Sequence, residues 1–186
     1  EVYHKLGDPD KAVIYICKAL AEYPDYSLFL RLGQLLKEKN YKGREIVDYL
    51  IEKFELKAIT SAKILYDIGY YDTCINYCDK FSDYHFQLIK SDILMKRGKF
   101  KETKIILKEL VGDVKQSREI IRKYCLCLWL ADEVQEVDKF LKYIRDDGTP
   151  LYQACKIINC FIANSNIGDI NLNNKIKNEV EKIVLD

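Results

Sequence analysis

The sequence predicts an all-α protein, an α-solenoid of about five to six antiparallel helix-turn-helix repeats. Three observations predict it. An apolar ladder with steps of five, four and three residues recurs along the 186-residue chain. The turn residues that open the ladder return at intervals of 29 to 36 residues. Strand signals are scarce, because two-residue alternation is nearly absent and only three prolines and eight glycines punctuate the chain.

The first copy of the ladder lies in GDPDKAVIYICKALAEYP, where Gly7 is followed by Ala12, Ile16 and Ala19. GYYDTCINYCDKF repeats it with Gly69, Cys74, Cys78 and Phe81, and GKFKETKIILKEL with Gly98, Thr103, Leu107 and Leu110. A fourth copy has Asp132 in the turn, then Val137, Leu141 and Ile144. Two more keep the four-three face after longer turns: Val47, Ile51 and Phe54 behind EKNYKG, and Ile176, Val180 and Ile183 behind NIGDINLNN. Steps of four and three put side chains on one face of a helix. A glycine ahead of them suits a tight turn at positive φ, where a side chain would be costly.

The turn positions are Gly7, Asn40, Gly69, Gly98, Asp132 and Gly168, so their separations are 33, 29, 29, 34 and 36 residues. A period in the low thirties built from two helices is the sequence sign of a solenoid. Local signals agree. Asp8-Pro9 and Thr149-Pro150 each set a capping side chain ahead of a proline at the first helical position, and Gly148 closes the preceding helix. The spacing predicts eleven helices, over 9–22, 26–38, 43–54, 57–68, 71–81, 84–97, 100–111, 117–131, 133–146, 150–164 and 172–185.

Composition narrows the function classes. Hydrophobic residues at 48% and charged residues at 32% exclude an intrinsically disordered chain. The most apolar runs, CLCLWLA (125–131) and IINCFIA (157–163), fall well short of the roughly 20 residues that a helical membrane span needs. No membrane association is expected, and the opening residues do not read as a signal or transit peptide. Thirty basic residues against 29 acidic ones leave a net charge of +1. The two signs are interleaved, which argues against a surface dedicated to nucleic acid. Seven cysteines, an odd number in apolar helical surroundings, suggest free thiols and a reducing, cytoplasmic setting. EVYHKLGD reads as the tail of a helix entering a turn, so the chain is expected to be a fragment of a longer protein.

The candidate chemistry is sparse. Cys74 and Cys78 stand four apart on one face, as two zinc thiolates would. A tetrahedral site needs two more ligands, and only His4 and His85 exist. Packing against the partner helix is the better reading, and Cys125-x-Cys127 points its sulfurs to differing faces. No metal site is expected. The chain has no phosphate loop behind a strand, no histidine in a catalytic motif, and acidic pairs (Asp132-Glu133, Asp146-Asp147) only at helix boundaries. No enzymatic activity, catalytic residue or cofactor is therefore expected. Among the fourteen tyrosines, Tyr3, Tyr15, Tyr66, Tyr71, Tyr77 and Tyr124 fall at packing positions, which favours groove lining over base stacking.

Several of these stretches resemble the tetratricopeptide repeat (TPR) family. LGDPDKAVIYICKALAEYPD is similar to that family's second helix through Leu6, Gly7, Ala12, Ala19 and Pro24, and Leu32-Gly33 with Leu36 is similar to its first. IGYYDTCINYCDKF and RGKFKETKIILKEL carry the expected aromatic at Tyr71 and Phe100, with Cys74 and Thr103 in the small-residue position. The resemblance is stronger over 1–110 than beyond it. It implies a right-handed superhelix and a single TPR-like helical repeat domain over 1–186, with 1–24 an incomplete first repeat and 170–186 a capping helix.

The resemblance also implies a function: a non-catalytic module or scaffold that binds another protein or peptide along its concave wall. The first helices would supply that wall with Arg31, Gln34 and Lys37, then Lys63 and Tyr66, then Asp92 and Lys96, then Arg122 and Trp129. The lysine and asparagine clamp of chaperone-binding members is not apparent. Two other readings remain open at this point. The chain could be an accessory domain fused to an enzyme such as a bacterial glycosyltransferase. Alternatively, it could be an RNA-reading helical repeat, against which the unequal repeat lengths and neutral charge speak. A second copy of the chain is a further candidate partner, since an incomplete first repeat leaves an apolar end.

Overall fold

A computed structural model describes residues 8–113, 118–143, 155, 158 and 159. Among these residues every regular element is helical, so the protein is all-α as the sequence predicts. The helices are α1 (Pro9–Glu22), α2 (Tyr26–Glu38), α3 (Gly43–Phe54), α4 (Ala58–Asp67), α5 (Tyr71–Cys78), α6 (Tyr84–Lys96), α7 (Phe100–Asp113), α8 (Arg118–Leu130) and α9 (Val134–Tyr143). The chain divides into two compact units, Glu1–Ile93 and Leu94–Asp186.

Helix starts follow from their capping chemistry. The Asp8 carboxylate accepts from the Lys11 amide at 3.1 Å, and Pro9 opens α1 with its φ already set. Asp25 does the same for α2 through the Ser27 amide at 2.9 Å. The Glu45 side chain reaches back to the Lys42 amide at 2.7 Å to start α3. A single closure then ends α2, α4, α6 and α8. The turn residue donates its amide to the carbonyl three back, and the next residue donates to the carbonyl five before it. Tyr41 bonds Leu36, Tyr70 bonds Leu65, Lys99 bonds Leu94 and Glu133 bonds Leu128, at 2.9 to 3.0 Å. This six-to-one bond requires a left-handed residue at the turn. Asn40 (φ 65°), Gly69 (83°), Gly98 (71°) and Asp132 (59°) supply it, and these are the turn positions read from the sequence. Gly7 and Gly168, the other two, lie outside the described residues.

In the first unit, α1 and α2 form an antiparallel hairpin. A turn joins them at 23–25, and Lys39 meets Asp10 at the other end. Helices α4 and α5 form another, with Tyr66 against Tyr71 and the Cys74 sulfur donating to the Ala62 carbonyl at 3.3 Å. Two apolar clusters run through these hairpins. Leu20, Phe29, Leu32, Leu36, Ile46, Leu50, Ile64 and Ile68 make one, and Val47, Ala62, Leu65, Cys74, Cys78, Phe86 and Ile93 make the other. Adjacent residues of α3 (Ile46, Val47) and of α4 (Ile64, Leu65) thus serve different clusters. Gly33 lets α2 approach α4, because a Cβ there would stand 2.9 Å from Ile64 Cγ2.

In the second unit, α8 and α9 pack antiparallel through an edge-to-face Tyr124–Phe140 pair, centroids 4.7 Å apart. The Cys127 sulfur donates to the Phe100 carbonyl at 3.4 Å, and Lys104 pairs with Glu133 at 2.6 Å. Asn159 is buried with both ends of its amide engaged. It accepts from Trp129 Nε1 at 3.0 Å and donates to Asp138 at 2.6 Å.

The ladder positions behave as expected at Ala12, Cys74, Cys78, Thr103, Leu107, Leu110, Val137 and Leu141, all buried. Ile51 does not: it is 37% exposed, and Leu50 takes the core position instead. The bare backbone of Gly43 abuts Thr73, where a Cβ would stand 2.9 Å from Oγ1, and this contact fixes the rotation of α3. Four residues past Val47 the helix has drifted about 40°, which carries Ile51 beyond the buried arc. Tyr15, expected at a packing position, is also half exposed. Helix α5 stops at Cys78, three residues before the predicted end, although Phe81 still packs, stacked on Phe86 at 4.2 Å. Tyr3, His4, Leu6, Ile144, Asp146-Asp147, Gly148, Thr149-Pro150 and the helix predicted over 172–185 lie outside the described residues.

The turn geometry makes a testable statement. Gly69→Val should lower unfolding stability by about 1–3 kcal/mol, because φ 83° is strained for a β-branched residue, although a Cβ there would meet only the Lys37 ammonium, at an ordinary 3.6 Å. Equilibrium urea unfolding reads it, and an unchanged midpoint would remove the left-handed turn from the account.

Candidate functional site

Helices α2 and α4 carry the residues expected to line a binding wall in the first unit. Arg31 and Gln34 sit one turn apart on α2, half-buried, with the guanidinium donating to the amide oxygen at 3.1 Å. This bond holds the Arg31 side chain along the helix surface. Lys63 on α4 is exposed, and Tyr66 is half-buried with its ring 5.9 Å from that of Tyr71. Asp92, on α6, is half-buried. Arg31, Gln34, Lys63 and Tyr66 therefore lie on two helices that pack directly on each other.

Lys37 has a different placement. Its ammonium donates to the Ile68 carbonyl at the end of α4 and lies 5.0 Å from the centroid of the Tyr70 ring. A cation at a helix C-terminus satisfies an orphan carbonyl and the negative end of the helix dipole. The Tyr70 hydroxyl in turn donates to the Tyr41 carbonyl at 2.8 Å, joining two turns 29 residues apart. Tyr26 Oη donates to Asp67 at 2.6 Å, and burial together with that carboxylate pushes the phenol up. Lys37 thus belongs to a set of polar links between successive repeats.

In the second unit Lys96 is exposed, Arg122 is half-buried, and Trp129 is half-buried with its N–H engaged by Asn159. Trp129 is therefore oriented by a buried partner rather than left to rotate.

The cysteines pack as the sequence suggests. Cys74, Cys78, Cys125, Cys127 and Cys155 are buried as free thiols, and among the described residues no group of three histidine, cysteine or acidic side chains could hold a metal ion. The hydrogen bond with Cys78 and burial push the Cys74 thiol far up. Burial, with the nearby Glu133 carboxylate, pushes Cys127 up to about 11. These thiols are protonated at neutral pH and make poor nucleophiles. Nor is any described helix long and apolar enough to cross a membrane.

The sequence reading missed a groove in the first unit. It lies between α3 and α5, holds about 350 Å³, and is lined by Arg44, Val47, Asp48, Thr73, Asn76, Tyr77 and Lys80. The spacings 44–48 and 73–76–80 are visible in the sequence as solvated helical stripes. That the two stripes face each other follows only from the Gly43–Thr73 approach. No protein-family model matches the chain, and no curated protein matches it significantly.

Two outcomes follow. Lys37→Ala should cost about 0.5–1.5 kcal/mol by orphaning the Ile68 carbonyl, as read by chemical denaturation; no loss of stability would return Lys37 to the free surface. The second concerns alkaline pH. A thiol whose folded pKa is raised stabilises the fold fully below its ordinary value near 9, and that contribution is lost as pH rises to about 11. Stability should therefore fall across this window, and Cys127→Ala should make the fall shallower in urea titrations, whereas identical slopes would contradict the assignment.

Proposed function

We propose that this chain is a TPR-like right-handed α-solenoid that acts as a non-catalytic protein–protein interaction module or scaffold within a larger complex. One observation carries the reading: the same closure recurs at Asn40, Gly69, Gly98 and Asp132, each time followed by an apolar helix. A unit repeated in this way cannot hide its apolar face alone and stacks on its neighbours. Within the first unit, the sharing of α3 and α4 between two clusters supports such stacking. Stacked hairpins present rows of side chains at a regular spacing, which suits an extended partner segment better than a small substrate.

The partner is another protein or a peptide segment, held along the face of α2 and α4 by Arg31, Gln34, Lys63 and Tyr66. Asp92 belongs to the same proposed lining in the first unit, and Lys96, Arg122 and Trp129 are the candidates of the second unit taken by itself. Lys37 contributes through the geometry of the wall. A cytoplasmic setting fits the buried free thiols.

The test begins with affinity capture from the native cell, followed by titration of each captured protein against the purified chain. Arg31→Glu with Lys63→Glu should weaken the genuine partner's binding roughly tenfold, with helix content by circular dichroism unchanged. Normal binding by the double variant would place the partner elsewhere on the surface.

A further inference from the structure

The groove between α3 and α5 has a composition of its own. Its walls are Val47 and the half-buried Tyr77 ring, and its polar groups are Arg44, Asp48, Thr73, Asn76 and Lys80. Two cations and one carboxylate leave it locally positive in a chain whose net charge is only +1. The Arg44–Asp48 pair is loose, 3.8 Å apart with both side chains largely exposed, so it neutralises the guanidinium only in part. The Lys80 ammonium lies 5.5 Å from the centroid of the Tyr77 ring and faces no carboxylate among the described residues. The Thr73 hydroxyl and the Asn76 amide have no hydrogen-bond partner among the described residues either.

We propose that this groove binds an acidic peptide segment carried by a protein partner. The inference rests on the reading of the chain as an interaction module and assigns it a second surface. A carboxylate side chain would sit between Arg44 and Lys80, where both cations can donate to it. Asn76 and Thr73, on the same helix, offer hydrogen bonds to the peptide's main chain. An apolar side chain beside the acid would rest on the half-buried Tyr77 ring. A volume of 350 Å³ is at the small end of ligand pockets, so it takes one or two side chains of a segment rather than a cofactor. The close approach at Gly43–Thr73 sets α3 against α5, so Arg44, Asp48, Thr73 and Asn76 are held on packed helices, while Lys80 follows in the turn after α5.

The test uses the full 186-residue chain and a short fluorescein-labelled peptide of repeated Glu-Glu-Leu, with its Lys-Lys-Leu counterpart and a single-stranded oligouridine as controls. Fluorescence anisotropy gives affinity, and amide chemical-shift changes give the location. The acidic peptide should bind, weaken as salt is raised, and shift amides of α3 and α5 around Asp48, Thr73 and Asn76. Arg44→Glu and Lys80→Glu should each weaken it roughly tenfold, and Asp48→Asn should tighten it roughly threefold. Equal binding of the Lys peptide, or indifference to the two charge reversals, overturns the proposal. Tighter binding of oligouridine with the same charge dependence also overturns it, in favour of a phosphate backbone. Shifts confined to α2 and α4 would sink this groove while leaving the interaction-module reading standing. Failure of the Arg31 and Lys63 variants to affect a genuine partner, with the groove shifts intact, would do the reverse.

Discussion

Helices α3 and α4 each have to hide two sides at once, and the first unit depends on that constraint. Ile46 and Ile64 face one apolar cluster, while their neighbours Val47 and Leu65 face the next. A hairpin helix in an isolated pair would need only one apolar stripe. Two stripes separated by about 100° commit each helix to a neighbour on either side. Burying a residue of this size contributes about 1.5–3 kcal/mol, so the four positions together outweigh any of the polar links in the unit.

The polar links set register rather than supply most of the stability. Tyr26–Asp67, Lys37–Ile68 and Tyr70–Tyr41 each join one repeat to the next, and Lys104–Glu133 does so in the second unit. Bonds of this kind are worth about 1 kcal/mol each, yet an apolar face alone tolerates a slip that a hydrogen bond does not. Asn159 takes the same principle inside the core of the second unit. Its buried amide has one donor and one acceptor partner, so any other packing of that region would strand polar atoms.

The proposed interaction surfaces are what the packing leaves outside. The first helices spend part of their polar surface on these links, as Lys37 and Trp129 do. Lys63 remains exposed, and Arg31 is half-buried and bonded within its own helix, to Gln34. The groove beside Gly43 arises as a by-product of close helix approach, and its charged groups are the exposed side chains of Arg44, Asp48 and Lys80. The buried cysteines, which look chemical in the sequence, fill space between packed helices.

How much of this was legible depends on range. The sequence by itself determined the helices of the described residues, the Asp8-Pro9 start and the turns at Asn40, Gly69, Gly98 and Asp132. Those are decided within five residues: Asp8 and Pro9 start a helix, and Asn40, Gly69, Gly98 and Asp132 end one by accepting positive φ. It also determined most of the buried face, since helical spacing is fixed by backbone geometry. Only the tertiary structure decided the rotation of α3, which exposed Ile51 in favour of Leu50, and the capture of Lys37 by the Ile68 carbonyl. It alone placed the stripe of α3 opposite that of α5. The physical reason is that these outcomes turn on contacts between distant parts of the chain, Gly43 with Thr73 and Lys37 with Ile68, and no periodicity within one helix records what its neighbour will bring.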